Sequence, residues 1–393
     1  MTENLRVAMI GYGFMGAAHS QGWRVAPRFF DLPLDPAMQV VVGRDAAAVA
    51  AAADKWGWAE SATDWREVIA RDDIDVVDIV TPGDTHAEIA IAALEAGKHV
   101  LCEKPLANTV AEAERMADAA SRAAAGGVRS MVGFTYRRVP ATAFARQLVA
   151  AGRLGEIRQV RAAYRQDWLM DAQAPLTWRL QKERAGSGAL GDIGAHAVDL
   201  AEYITGLRLD TISGTIDTVV AERPLMGEGI GLSGTATADR GPVTVDDVAV
   251  FSGRFTAPGG GFAPFGSFEA TRFATGRKNA LTIEVSGSLG ALAFDLERLN
   301  ELDFYDATLP ADEQGFRTIL VTEHQHPYLA PWWPAGHMLG YEHGFSHQVV
   351  DLVTAIAEGT QPEPSFADGL HVQRVLDAVE RSSADRGLWT AVG

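Results

Sequence analysis

Three glycines spaced as Gly11-x-Gly13-x-x-Gly16, set between a short apolar run and a helix-forming stretch, constrain this chain more than any other feature. Leu5 to Ile10 is apolar except for Arg6 and reads as a buried strand, and helix follows from the glycines toward Trp23. In that setting each glycine meets a different need. Gly11 permits the tight turn, Gly13 lets backbone approach a pyrophosphate, and Gly16 lets the helix close on the strand. The helix start at Phe14 and Met15 offers unclaimed N–H groups to an anion. The spacing with these flanks predicts a dinucleotide-binding fold rather than a plain glycine-rich turn.

The alternation continues. Gln39 to Val42 reads as a strand, Ala46 to Trp56 as an alanine-rich helix, and Ile74 to Val80 as a strand. Thr81-Pro82-Gly83-Asp84 is a break that also caps a helix over Thr85 to Ala96. Lys98 to Cys102 is a strand ending at Glu103-Lys104-Pro105, Asn108 or Thr109 caps the next helix, and Val128 to Phe134 is a last strand. Such alternation implies a doubly wound parallel sheet that binds ligands at the carboxyl ends of its strands. Gly11, Pro82 and Lys104 fall on that edge. Ala26 to Pro36, with its three prolines, breaks the pattern and reads as an inserted loop reaching over a ligand. After the second strand stands Val42-Gly43-Arg44-Asp45. With Gly43 in the usual acidic position, Arg44 can neutralise a 2′-phosphate, which favours NADP; with Asp45 folded back, NAD stays open, and Asp45 as a plain helix cap is the third reading.

At 393 residues the chain exceeds one ordinary core, and two domains are expected, 1–135 and 136–393, with C-terminal helices able to pack back on the first. Beyond Tyr136 a helix over Ala141 to Ala151 leads to strands at Ile157–Tyr164, Thr211–Val220, Thr244–Phe255, Gly266–Ala274, Leu281–Ser286 and Ala291–Asp295. Turns at Gly259-Gly260-Gly261 and Gly287-Ser288 separate them, and helices return at Phe345–Glu358 and Ala367–Ser383. The expected second domain is therefore α+β, with a large, mostly antiparallel open sheet. A net charge of -17 argues against nucleic acid or an anionic membrane as partner. No apolar run approaches the roughly 18 residues a membrane helix needs. The Met1-Thr2-Glu3-Asn4 start lacks a basic-then-apolar leader, and the single Cys102 cannot form an internal disulfide, so a cytoplasmic protein is expected.

Downstream, Gly186 to Gly191 reads as a flexible entry to a helix bearing Asp192, His196 and Asp199. Spacings of four and three set these on one helix face. There a carboxylate can orient an imidazole for general-base work; the plain alternative is a charged helix start with a satisfied histidine. No complementary ligand set supports a metal. Lys104, at a strand's carboxyl end, is either a surface charge or an ammonium aimed at the reacting centre. Cys102 reads as a small buried residue.

Gly11-Tyr12-Gly13-Phe14-Met15-Gly16 with His19, Thr81-Pro82 with His86, Glu103-Lys104-Pro105-Leu106, and Gly191-Asp192-Ile193-Gly194-Ala195-His196 through Asp199 occur in order. In these the chain resembles the glucose–fructose oxidoreductase / inositol dehydrogenase / rhizopine-catabolism (Gfo/Idh/MocA) family over essentially its whole length. The resemblance implies a Rossmann domain, an open-sheet domain that forms homodimers or homotetramers, and NAD(P)-linked sugar or cyclitol oxidation. It implies Lys104, Asp192 and His196 as catalytic residues, and Thr81, Pro82, His86 and Glu103 beside the cofactor with Arg44 and Asp45. Pro175-Leu176-Thr177-Trp178-Arg179 with Gln181-Lys182 resembles the levoglucosan-dehydrogenase-like branch, which oxidises a pyranose at C3. Candidate substrate contacts are Tyr136, Arg138, Gln166, Asp167, Trp168, Trp178, Arg179 and Lys182, beside Asp192 and His196. Two other readings of the same fold remain: a glycosidase using NAD for transient oxidation, and a non-catalytic sugar or dinucleotide sensor.

Overall fold

The computed structural model describes residues 4–230, 233–257 and 261–393; the leader reading at Met1-Thr2-Glu3 and the turn at Gly259-Gly260 lie outside the described residues. The chain divides into two compact units, Met1–Thr135 with Glu342–Gln373, and Tyr136–Tyr341 with Arg374–Gly393.

In the first unit β1 (Asn4–Ile10), β2 (Asp35–Val42), β3 (Glu60–Ala62), β4 (Val76–Ile79), β5 (His99–Cys102) and β6 (Ser130–Val132) form one sheet in the order β3-β2-β1-β4-β5-β6. Every pairing is parallel. β4 and β6 are buried along their whole length, as a sheet covered on both faces requires. The helices between them are α1 (Phe14–Phe29), α2 (Ala46–Trp56), α3 (Trp65–Ile69), α4 (His86–Glu95) and α5 (Val110–Ala124). Of the two caps expected for α5, Thr109 serves, in a reciprocal capping box with Glu112.

Three local expectations are corrected. α1 runs through Pro27 to Phe29, and β2 starts at Asp35, so the inserted loop shrinks to residues 30–34. Pro27 lies in the last turn, where its missing N–H forfeits one hydrogen bond while the buried Trp23 and Ala26 hold the helix down. Second, Thr81 to Asp84 supplies no side-chain cap: Gly83–Thr85 is a 3-10 turn, and α4 starts at His86 with the Thr85 hydroxyl donating back to Pro82 O at 2.8 Å. Third, β3 and α3 were unexpected; they are too short to carry a period.

The second unit contains α6 (Pro140–Ala150), β7 (Ile157–Arg165), α7 (Lys182–Ala185), α8 (Ala195–Thr205), β8 (Leu209–Asp217), β9 (Glu222–Ile230), β10 (Ser233–Pro242) and β11 (Val248–Phe255). β12 (Phe265–Thr271), β13 (Ala280–Gly287), β14 (Gly290–Asp295), β15 (Glu301–Asp306), β16 (Arg317–Leu320) and β17 (Thr390–Ala391) complete it. Nine strands form a sheet in the order β16-β15-β14-β13-β7-β12-β11-β8-β17, with β9 and β10 as a separate hairpin. β7 and β12 pair in parallel; the other described pairs of this sheet are antiparallel. α8 packs against β7, β12 and β13, and α6 against β14 and β15. Strands β9, β10, β15, β16 and β17 were not expected from the sequence.

The chain then returns. α9 (His343–Glu358) groups with the first unit, and α10 (Phe366–Ala384) begins there and ends in the second. As allowed for the C-terminal helices, Glu342–Gln373 groups with the first unit rather than with the rest of 136–393. The cause is close packing of α9 on α1: a Cβ on Gly22 would lie 2.9 Å from the Phe345 backbone, and Val349, Leu352 and Val353 join Trp23 in one buried cluster. Among the described residues no helix is long and apolar enough to cross a membrane.

Candidate active site

At the carboxyl edge of the first sheet the three glycines divide their work. Gly11 sits at φ +116°, and a Cβ there would fall 3.0 Å from Val80 O. On Gly16 a Cβ would meet Gly11 O at 2.8 Å, whereas on Gly13 it would meet nothing within 4 Å. Gly13 is the N-cap of α1 and supplies no side-chain cap, so the first-turn N–H groups have no side-chain acceptor there. An open, glycine-lined, donor-bearing helix start fits a dinucleotide pyrophosphate. Phe14 is exposed, while Met15 packs into the core and has only its backbone to offer.

At the end of β2 a Cβ on Gly43 would lie 2.0 Å from the Tyr12 ring, so Tyr12 fills the space an acidic side chain would need. Arg44 is exposed, and Asp45 accepts from Ala48 N at 2.9 Å as the cap of α2. Of the readings left open for Asp45, the helix cap is the one found.

Two residues expected beside the cofactor have internal partners for their side chains. The ring nitrogens of buried His86 lie 2.8 Å from Thr81 O and 3.1 Å from Pro105 O, tying together the turns that follow β4 and β5. Glu103 is 4% exposed, and its Oε1 lies 3.0 Å from His19 Nε2 while its Oε2 accepts the backbone N–H of Lys104 at 3.1 Å. Both side chains are spent inside the protein. Lys104 itself is half-buried at the turn. His19 also places Nδ1 2.9 Å from Asp78 Oδ2. Burial opposes its charge, but Asp78 and Glu103 outweigh burial and push it up to about 10. Cys102 is a buried free thiol, pushed up by burial with Glu103 and Asp78 adding to it.

In the second unit the run before α8 is held, not flexible. Gly188 N and Leu190 N donate to the Asp246 carboxylate at 2.6 and 2.7 Å, and a Cβ on Gly188 would strike Asp246 O at 1.7 Å. Leu190–Gly194 is a π-helical turn, so Asp192 precedes α8 rather than sharing its register with Asp199. Asp192 accepts from Arg272 Nη2 at 3.0 Å, and Asp199 is buried in a 2.6 Å ion pair with Arg137.

His196 is nearly buried, its ring centroid 4.5 Å from Tyr136 and 6.0 Å from Tyr164. From there a polar chain runs outward. The two tyrosine hydroxyls lie 2.7 Å apart, and Tyr164 donates to Asn279 Oδ1 at 2.6 Å. Gln166 Nε2 donates to the same Asn279 oxygen at 2.8 Å, and Trp168 Nε1 donates to Gln166 Oε1 at 2.9 Å. Arg272, fully buried, stacks 5.4 Å over Trp168 and closes the chain on Asp192. Burial pushes both phenols up, and each tyrosine adds to or offsets the other's shift. Arg179 lies 4.4 Å over Trp178; burial lowers its proton affinity and the nearby Asp192 opposes that.

The structure thus brings Tyr136, Gln166, Trp168, Asp192 and His196 together, with Trp178 and Arg179 alongside. Arg138 is fully buried. Two expected substrate contacts face elsewhere: Asp167 pairs with exposed Lys278 at 2.7 Å, and Lys182 reaches Glu380 at 2.9 Å. Tyr164, Asn279 and Arg272 were missed. They lie on β7, beyond β12 and before β13, and only the strand pairing unites them.

A family model described as an oxidoreductase family with an NAD-binding Rossmann fold matches residues 5–134, and a Gfo/Idh/MocA C-terminal domain matches residues 142–293. The chain belongs to the Gfo/Idh/MocA oxidoreductase family. Within it, the chain is 43% identical over 387 residues to the levoglucosan dehydrogenase of Pseudarthrobacter phenanthrenivorans, covering 97% of each protein. A crystal structure of an oxidoreductase domain protein from Kribbella flavida superposes with TM-score 0.94 at 65% identity, over 100% of both chains. A levoglucosan dehydrogenase in complex with NADH and levoglucosan gives 0.91 at 42% identity, over 99% of this chain and 100% of that one. The first unit's glycine cradle is therefore that of an NAD-binding oxidoreductase. A preference for NADP gains no support from these relatives.

Proposed function

We propose that this protein is a dehydrogenase of a secondary hydroxyl on a sugar, anhydrosugar or cyclitol, with a pyranose C3 hydroxyl as its first candidate and NAD as its dinucleotide. The observation that carries this reading is the polar chain ending on His196, in which hydroxyl, amide and aromatic groups suited to a sugar ring surround a carboxylate and an imidazole. Levoglucosan dehydrogenase, similar along the whole chain, supports the substrate class.

When bound, the nicotinamide dinucleotide supplies the two-electron acceptor for the alcohol carbon. His196 takes the hydroxyl proton as general base. Lys104 stabilises the developing alkoxide with its ammonium. Asp192, kept beside Arg272, orients and polarises the base. Trp168 and Trp178 offer apolar faces to the sugar ring. For the dinucleotide, Tyr12 over Gly43 leaves no room for an acid at that position, so NAD is held without it. We also infer a cytoplasmic protein, with Cys102 as a buried free thiol.

The test is growth of reduced-nicotinamide absorbance with NAD or NADP across a panel of sugars, anhydrosugars and inositols. Growth with one polyol and a higher kcat/KM for NAD is expected. His196→Ala and Lys104→Ala are each expected to lose about 10²–10⁴-fold in turnover while still binding dinucleotide. Silence across the panel with dinucleotide bound would shift the reading to the glycosidase or the sensor.

A further inference from the structure

His19, Asp78 and Glu103 are buried together and take no part in the steps assigned to His196, Lys104 and Asp192. We propose that His19 is the positioning residue for Lys104: clamped between Asp78 and Glu103, it fixes Glu103 so that the second oxygen of that carboxylate holds the Lys104 backbone. The proposal rests on the assignment of Lys104 as the group that stabilises the alkoxide.

The geometry is closed at every point. His19 Nδ1 lies 2.9 Å from Asp78 Oδ2 and Nε2 lies 3.0 Å from Glu103 Oε1. Trp23 Nε1 donates to Asp78 Oδ2 at 2.7 Å, which anchors that end from α1. At the other end a Cβ on Gly133 would sit 2.7 Å from Glu103 Oε1, so the glycine leaves room for this carboxylate and little else. Phe345 of α9 covers the imidazole, ring centroids 5.4 Å apart. Glu103 Oε2 is left to accept the Lys104 N–H at 3.1 Å. A displaced Glu103 therefore displaces the next residue.

The charge pattern has one consistent solution. The titratable groups shown against the imidazole are Asp78 on β4 and Glu103 after β5, with Cys102 of β5 near both carboxylates; Trp23 of α1 on Asp78 and Phe345 of α9 on the ring are uncharged. A neutral imidazole has one donor and would turn a lone pair toward one carboxylate; only the imidazolium donates to both. Two buried carboxylates without a cation between them would be costly. The cation is favoured enough to persist to about pH 10.

The experiment compares wild type, His19→Gln and His19→Gln/Glu103→Gln as purified full chains. In His19→Gln, kcat is expected to fall at least about tenfold with dinucleotide Kd within about threefold, because misplacement of a catalytic group costs turnover before binding. Because His19 acts through Glu103, the double variant is expected to lose no more kcat than His19→Gln alone. Independently of turnover, the 13C signal of dimethylated Lys104, assigned through Lys104→Arg, is expected to move in His19→Gln. Thermal stability adds a linkage check: a raised pKa contributes fully below the ordinary value of 6.5, dwindles from there to about 10 and vanishes above, and His19→Gln loses that decline. An unmoved Lys104 signal with unchanged kcat overturns the positioning role, even if the decline is lost. A wild type that turns over no polyol overturns the proposed function instead, and the Lys104 signal still decides this inference.

Discussion

At Gly13 and Gly16 one absent methyl serves two different ends. Gly16 is closed against Gly11 O, so Gly16→Ala forces backbone apart and is expected to cost about 1–3 kcal/mol of stability along with dinucleotide affinity. Gly13 has φ −78°, which alanine adopts freely, and open space where its Cβ would go. Gly13→Ala should leave stability unchanged or raise it by up to about 1 kcal/mol. The same methyl would occupy the approach of the pyrophosphate, so Kd for the dinucleotide should rise at least about tenfold, roughly 1.4 kcal/mol. Thermal melts and fluorescence titration of both variants separate the two cases; a Gly13→Ala protein with unaltered Kd would remove the pyrophosphate from this loop. The glycine spacing told of this cradle because its chemistry is local. The missing acid at Gly43 was visible too, but its cause was not, since Tyr12 and Gly43 meet only when β1 and β2 pair.

The turn that carries Asp192 makes the same point for an element. Glycines and serine at 186–188 promise flexibility, yet Asp246, 58 residues on, takes the N–H groups of Gly188 and Leu190. Asp246→Ala would leave these buried donors unpaired, at about 1–3 kcal/mol each. Faster amide exchange across Leu190–Gly194 and a lower kcat are expected, with dinucleotide affinity unaltered because the glycine cradle belongs to the other unit. Exchange as slow as wild type would show that the π turn holds without its anchor. Elements with a clear period, such as α2 and α9, could be read from sequence because their burial pattern repeats locally. The short β3, β16 and β17 could not, because neighbours rather than their own residues decide them. The candidate residues divide likewise: Lys104, Asp192 and His196 lie in compact motifs, while Arg272, Asn279 and the His19–Asp78–Glu103 clamp are products of strand order.

For the whole molecule, a net charge of -17 makes copies of this chain repel at long range, so association needs a face that neutralises itself locally. The side of the large sheet lined by Arg161, Glu269, Glu284 and Asp303 holds a concavity of about 530 Å³. On it Arg161 pairs with Glu284 at 2.7 Å and Arg165 with Glu269 at 2.8 Å, and Val250 is half exposed between charged neighbours. Exposed pairs of this kind add little to the stability of one copy. Covered by a second copy they would lose water and set the register between the sheets. We therefore propose homodimers or homotetramers formed through this face. Glu284 stands directly opposite Arg161 in the β7–β13 pairing, so Glu284→Arg sets two cations against each other there. Sedimentation is expected to show an oligomeric wild type and a mostly monomeric variant, partly restored at high salt, with the melting of each unit little changed. A wild type that sediments as a monomer at every concentration would leave the open face to solvent and withdraw the assembly.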